Sequence, residues 1–526
     1  MSIAQRLRKH PLNLIRIMPA QGCLLLSSQV ISDSCNTSLR RFTVWRNTVS
    51  YGEILSYLLV FALFFSISGV LYARRHTETL ESYIVARNTQ GGWSTMLTLM
   101  ASSLGAWILF APAQAATWGG LWAIIGYGLG AMAPRFLMVP LGRRMRELIP
   151  SGHTLTEYVL ARYGRPMYAI TLLIMLFYMF ISITAEITAM AKLVNLIAPV
   201  PLWLTALIVL CATLAYTAYG GLRASIFTDK VQMLVIFPLL VLLVIFGWHA
   251  TNGVTPIFTE LSAKAPELVS VSSTLGLKAG LTFLIALLLT GLFHQGNWQR
   301  IYAAQTTRAM RNGFILAGIL VAPIIFIMGL FGLAFVAMGE QGDSSVAIFK
   351  ILLPTLPYWF VVLLIPLGLA LVMSSVDTAI NAFSSLIVVD MRRLMPHLSA
   401  HTLMRLARGT VFPLAALVWF FSAKGYSVLY LFLLADLLCS AAAFPVFFGL
   451  FSKRYSGTNA ALSTLAGLVA GLVIFPAPNA PLTYLLESFL LAAFVPLLVS
   501  WVLFYVLPKN KEFELTHLNS MIKKLS

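Results

Sequence analysis

The chain predicts an all-α integral membrane protein, on three observations. Hydrophobic residues make up 59% of its 526 residues and charged ones 10%, with a mean hydropathy of +0.86, a balance that soluble domains do not carry. Apolar stretches of about the 20 residues needed to cross hydrocarbon recur from end to end. The basic surplus, a formal net charge of +18, sits in the short connections between those stretches. There it orients a chain in a lipid bilayer and does not point to nucleic acid. No connection is long enough to be an enzyme domain. No glycine-rich phosphate loop followed by Lys and Ser/Thr is present, so an ion gradient is the expected energy source.

Residues 1–50 carry seven basic residues and only a weak apolar patch around residues 24–26. That patch is too short to span a bilayer and lacks the layout of a secretory signal. The tail is read as disordered, or as an over-extended start of the reading frame. From Tyr51 onward 13 apolar spans follow, near 52–73, 94–118, 120–142, 166–192, 201–219, 231–248, 277–294, 313–338, 358–389, 404–422, 426–451, 457–476 and 482–507. They define a transmembrane domain over 51–507, with a C-terminal tail over 508–526. Cys23, Cys35, Cys211 and Cys439 fit no metal spacing, and the last two read as packing residues within spans.

Twenty-three Lys and Arg residues, Arg300 among them, follow the odd-numbered spans or lie in the C-terminal tail. Only five lie on the other side: Lys192, Lys264, Lys278, Lys350 and Lys424. Basic loops stay cytoplasmic. The first span is therefore expected to start outside and the C-terminus to lie in the cytoplasm.

Two spans carry features that weaken a helix. MASSLGAWILFAPAQAATWGG has Gly105 near its middle, and LLLTGLFHQGNWQR has Gly291 and Gly296 around a polar cluster. They open consecutive blocks of five spans, 2–6 and 7–11, and interrupted helices at matching positions point to a transporter site. The ninth span, LVMSSVDTAINAFSSLIVVD, places Ser374, Thr378, Asn381 and Ser385 on one helical stripe, with Ser375 and Asp377 at its edge. Lipid satisfies no such groups, so the stripe faces protein, water or an ion. Ser384 and Ser385 read as helix–helix glue. Ser374 and Ser375 suit a weakly held hard cation.

The segment 216–232, YTAYGGLRASIFTDKVQ, closely resembles the signature of the sodium:solute symporter family. GNWQRIYAAQ resembles that family's Gln-Arg loop, SSVDTAINAFSSLIVVD its hydroxyl-rich ninth span, and FPVFFGLFSKRYSGTNAALSTLAG the exit of its eleventh. The resemblance covers about 51–507. It implies a leucine-transporter-like fold of inverted five-helix repeats and Na+-driven uptake of a small organic solute. It also implies a sodium site from the carbonyls of Ala101, Leu104 and Leu371 and the hydroxyls of Ser374 and Ser375. Such a neutral site would release its ion into a low-sodium cytoplasm. Ser103 stands where some members have an acid. Asp229, matching the aspartate after Gly-Gly-Leu, has an ion-exit or gating role as one reading and an interfacial acid neutralised by Arg223 or Lys230 as the other. Asp377 would assist the same exit, or bond to Ser374 or to a sixth-span partner.

In that fold the solute lies beside the broken helices. Glu186, His294, Gln295 and Asp436 are the candidates there, because ionisable groups at membrane depth are costly. The bland reading of Glu186 and Asp436 is a neutral acid bonded to a neighbouring helix, and that of His294 a packing residue. Arg135, a cation within the third span, is expected at a lipid or helix interface. Three acids and no mid-membrane Lys then argue for a neutral or amine-bearing solute. Proton coupling through Glu186 or Asp436, and a transporter-like sensor, are the alternatives.

Overall fold

The computed structural model describes residues 49–75, 79–395, 397–478, 480, 482–507 and 512–522. The reading of residues 1–50 falls outside them except at its last two positions. The described residues are helical throughout, with one isolated parallel bridge between Gln90 and Ala304. Helices α1 (Tyr51–Arg74), α2 (Leu80–Ile84), α3 (Gly92–Ser103), α4 (Ala111–Leu148), α5 (Leu155–Tyr163) and α6 (Arg165–Ile197) come first. Then follow α7 (Leu202–Ala250), α8 (Thr255–Lys264), α9 (Thr274–Thr290), α10 (Gln295–Ala303), α11 (Thr307–Ala337) and α12 (Ala347–Leu352). The chain closes with α13 (Tyr358–Leu394), α14 (Ala400–Gly409), α15 (Val411–Ser422), α16 (Val428–Phe448), α17 (Gly457–Ile474) and α18 (Leu485–Val506).

Polar residues just outside the apolar runs set where helices begin. Ser50 with Glu53 and Thr154 with Glu157 form capping boxes, while Ser273, Thr306, Ser427 and Ser456 cap α9, α11, α16 and α17. Each side chain satisfies an amide that the first turn leaves without a carbonyl. Ten described helices are long and apolar enough to cross a membrane, or up to eleven if the bent pair α9–α10 is one span. The 13 apolar stretches outnumber these because the backbone leaves the helical conformation at Gly120 (φ 61°) and Gly221 (φ 56°), so that α4 and α7 are each two helices joined across a kink. Gly221 is the second glycine of Gly-Gly-Leu. A Cβ there would lie 2.4 Å from the Tyr83 ring, and its positive φ already disfavours any side chain.

Helix α13 is the central element, with 83% of its apolar window buried against 22% for α18. Its Ser384 hydroxyl donates to the Ala407 carbonyl of α14 at 2.9 Å, the glue expected of it. Cys439 is buried, but Cys211 is exposed on α7, so the packing role expected for Cys211 is corrected: it lines an open apolar groove shared with Phe412 and Trp419 of α15. The C-terminal tail folds back as a short 3-10 helix, Leu515–Met521. Asn519 accepts from the Ser151 hydroxyl at 2.6 Å, and Arg162 lies over the Phe513 ring at 4.6 Å.

Candidate functional site

Both glycine-marked stretches are interrupted. Helix α3 ends at Ser103, Leu104 leaves the helical conformation and Gly105 is extended before a 3-10 turn over Ala106–Leu109. Helix α9 ends at Thr290, and after four residues α10 leaves at 53°. Where a helix stops, its last carbonyls lose their amide partners and become available to other donors or to cations. Ala101 belongs to that last turn.

Helix α13 passes beside the first break. The Ser374 hydroxyl lies 2.9 Å from the Ala101 carbonyl and 3.0 Å from that of Leu371. Ser375 Oγ is 3.1 Å from the same Leu371 carbonyl. Four of the five residues assigned from the resemblance are thus gathered into one cluster of neutral oxygens. Leu104, the fifth, is fully buried at the break, its amide still bonded to Met100.

Ser375 also lines a cavity of about 120 Å³ that reaches Glu186, His294 and Asp436. Glu186 stands against the break itself: a Cβ on Gly105 would lie 1.7 Å from its Oε1. The carboxyl faces the amides of Ala106 and Trp107 and the Ser375 hydroxyl, and its Oε2 has no hydrogen-bond partner. His294 accepts the Gly296 amide at Nδ1, 3.1 Å away, and its ring meets that of Tyr178 edge-on at 5.8 Å. Thr290 donates to the Asp436 main-chain carbonyl, 3.4 Å away. Trp107 stacks on Tyr127 at 5.6 Å and meets Phe432 edge-on at 6.0 Å, giving one side of the cavity an aromatic wall.

Two expectations are corrected here. Gln295 does not line the cavity. It begins α10 and turns away, its amide donating to the His153 carbonyl at 2.9 Å and accepting from the Leu155 amide at 3.1 Å. Arg135 does line it, contrary to the lipid or helix interface expected. It follows Pro134 on α4, and one guanidinium nitrogen donates to the Ala131 carbonyl of its own helix.

Beyond the oxygen cluster lies a buried polar network. Asp229 Oδ2 accepts from Arg300 at 3.0 Å and from the Thr98 hydroxyl. The Arg300 guanidinium also reaches Thr378 Oγ1 at 2.8 Å and the Gly296 carbonyl at 3.2 Å. Asp377 accepts from Tyr216 at 2.7 Å, Ser225 at 2.7 Å and Thr228 at 3.1 Å. Asp229 is therefore paired with Arg300, not with Arg223 or Lys230. Asp377 bonds to α7 and not to Ser374. Arg300, counted as a loop residue, is almost wholly buried. The only sequence signal for it was its place in the Gln-Arg loop.

Helices broken at two places, an oxygen cluster at one break and a lined cavity between them are the parts of an ion-coupled transporter. The fold agrees. A sialic acid symporter coupled to Na+, solved outward-open with substrate, superposes with a TM-score of 0.70 at 17% identity, over 88% of this chain and 99% of that one. A nucleobase-cation-symport-1 family transporter gives 0.53 at 14% identity, over 84% and 98%. Among curated relatives, a spermidine transporter of Candida albicans is 27% identical over 404 residues, 75% of this chain and 73% of its own. A sodium/myo-inositol cotransporter 2 of Bos taurus is 24% identical over 477 residues, 81% and 70% of the two chains. The family model for the sodium:solute symporter family matches residues 83–467. A match over most of the chain, on a fold with these two breaks, leaves one conclusion: the chain is a membrane transporter, not an enzyme, and belongs to the sodium:solute symporter family.

Proposed function

We propose that the protein is a secondary-active transporter that carries a small organic solute into the cell with Na+, by alternating access. The observation that carries this reading is the approach of Ser374 to the Ala101 carbonyl at the break, 2.9 Å across two helices. Rotation of the two hydroxyls would turn lone pairs of Ser374 and Ser375 towards an ion already facing the carbonyls of Ala101, Leu104 and Leu371. In this reading the 13 apolar stretches act as 13 spans, with inverted repeats over 2–6 and 7–11 and the C-terminus in the cytoplasm. Asp229 and Asp377, with Arg300, gate the ion's way out. Glu186, His294 and Asp436 serve the solute. The carboxyl of Glu186 beside an aromatic wall favours an amine-bearing solute, as does a spermidine transporter among the relatives.

The test is sodium dependence. Replacing both Ser374→Ala and Ser375→Ala should raise the Na+ concentration for half-maximal uptake at least tenfold, about 1.4 kcal/mol of lost binding. Unchanged sodium dependence would return the two serines to helix packing. A second reading, proton coupling, is favoured by one observation: Glu186 Oε2 is buried without a partner, where a proton would satisfy it. Uptake that tracks pH and ignores Na+ would select it.

A further inference from the structure

We infer that the solute is a zwitterion whose ammonium group is read by Glu186 and whose carboxylate is read by Arg135. This rests on the reading above of the cavity as the solute site and of the solute as amine-bearing. The cavity has two levels. Tyr178 and Glu186 both line it from α6, and eight residues of helix separate them by about 12 Å. At the Glu186 level stands the aromatic wall of Trp107, Tyr127 and Phe432, with Tyr127 stacked between Trp107 and Phe283. At the Tyr178 level stand His294 and Arg135. One end thus suits positive charge and the other suits a hydrogen-bond acceptor.

The state of Arg135 makes the case. A guanidinium carries five N–H donors and no acceptor. Among the described residues only the Ala131 carbonyl of its own helix takes one of them. Among the described residues no carboxylate forms an ion pair with it, although Asp436 and Glu186 line the same cavity. The side chain is half-buried and lines the cavity, where a carboxylate would accept two parallel N–H bonds from it. Formal charge agrees: two carboxylates, one guanidinium and one sodium ion carry no net charge. A zwitterion preserves that balance, whereas a diamine adds two positive charges and sets one amine towards Arg135. With Arg135 in the lining, a cation faces the solute, and the cavity suits a carboxylate beside the amine.

The experiment uses the full chain, purified, with melting followed in NaCl and in KCl. The probes are glycine, 4-aminobutanoate and 6-aminohexanoate, each beside the amine that lacks its carboxylate, and spermidine. The expected result is a sodium-dependent stabilisation by at least one amino acid of the series, with the matching amine at least tenfold weaker. In Arg135→Gln that preference should disappear while the amine's own affinity stays unchanged, and Arg135→Lys should recover part of it. The wild-type comparison stands even where a variant fails to fold. Amines or spermidine binding as tightly as the amino acids would overturn the zwitterion and leave the amine reading intact. A loss in Arg135→Gln that is equal for amine and amino acid would also overturn it, by making Arg135 structural. Stabilisation by none of these probes would overturn the zwitterion together with the amine reading.

Discussion

Glu186 shows what a single residue settles and what it does not. A lone acid in FISITAEITAMAKL stands out because that span holds no other Asp, Glu, Lys or Arg until Lys192. The sequence could not show that it abuts Gly105, where a Cβ would collide with its carboxyl. That contact gives the helix-breaking glycine a second reason to lack a side chain. If the Glu186 carboxylate holds the solute's ammonium, Glu186→Gln should weaken solute binding about ten- to a hundredfold, the worth of a charge-assisted bond at roughly 1.5–3 kcal/mol. Sodium binding without solute should change little, because the cluster takes its oxygens from α3 and α13. Solute titrations at pH 6 and pH 8 check this. Equal affinity at both would end the claim that Glu186 reads the solute, and loss of pH dependence alone would mark a coupled proton. Neighbouring residues could not be sorted from sequence. His294 faces the cavity and Gln295 turns to His153, because the helix restarts between them and sends adjacent side chains opposite ways. Arg135 was equally opaque: periodicity gives a helix its faces but does not say which neighbour each face meets.

At the scale of elements, the two breaks were legible because glycines and polar residues interrupt otherwise apolar runs. Less legible was the polar joint that ties α2, α5 and α10 together outside the spans. His153 Nε2 lies 2.8 Å from Glu81 Oε2, and Nδ1 lies 3.2 Å from Glu157 Oε2. Burial opposes charge on His153, but hydrogen bonds and attraction from Glu157 and Glu81 prevail, and its pKa is raised to about 9. Burial likewise opposes charge on Glu81, yet His153 and Arg87 bring its pKa down to about 2. The His153 contribution to stability is therefore full below its usual 6.5 and is lost as pH rises through about 9. The Glu81 contribution is full above 4.5 and is lost as pH falls through about 2. Melting temperature should stay level from pH 4.5 to 6.5 and decline towards pH 9. His153→Gln should flatten the alkaline decline, and melting curves across pH 5.5 to 9.5 measure it. An unchanged decline in the variant would place the effect elsewhere. None of this could be read from spacing, since Glu81 and His153 are 72 residues apart.

For the whole molecule, hydropathy and the basic asymmetry carried the architecture, and the family signature carried the type of machine. The same asymmetry predicts an orientation. Reporters after Ser526 and beside Gly253 should label from opposite sides, the first from the cytoplasm, and labelling from one side would refute it. Arg300 warns about such counting: the chain spends a basic residue inside the protein, on Asp229 and Thr378, where it cannot orient a loop. In the network beside the oxygen cluster, the bond of Asp377 to a sixth-span partner was legible, but the pairing of Asp229 with Arg300 was not, because the two come from separate helices. One further joint has been visible only as backbone. Before α3, the amides of Thr89 and Gln90 both donate to the Ala303 carbonyl at the end of α10, at 2.8 and 2.9 Å, and Gln305 returns a bond to Gln90. The two broken helices, over two hundred residues apart in the chain, are stitched where one begins and the other ends. Because the thread is main chain, almost any side chain at these positions preserves it, whereas proline at Thr89, Gln90 or Gln305 removes one of its donors. A mechanical linkage of this kind leaves little trace in residue identity, and a family could keep it while its sequences drift.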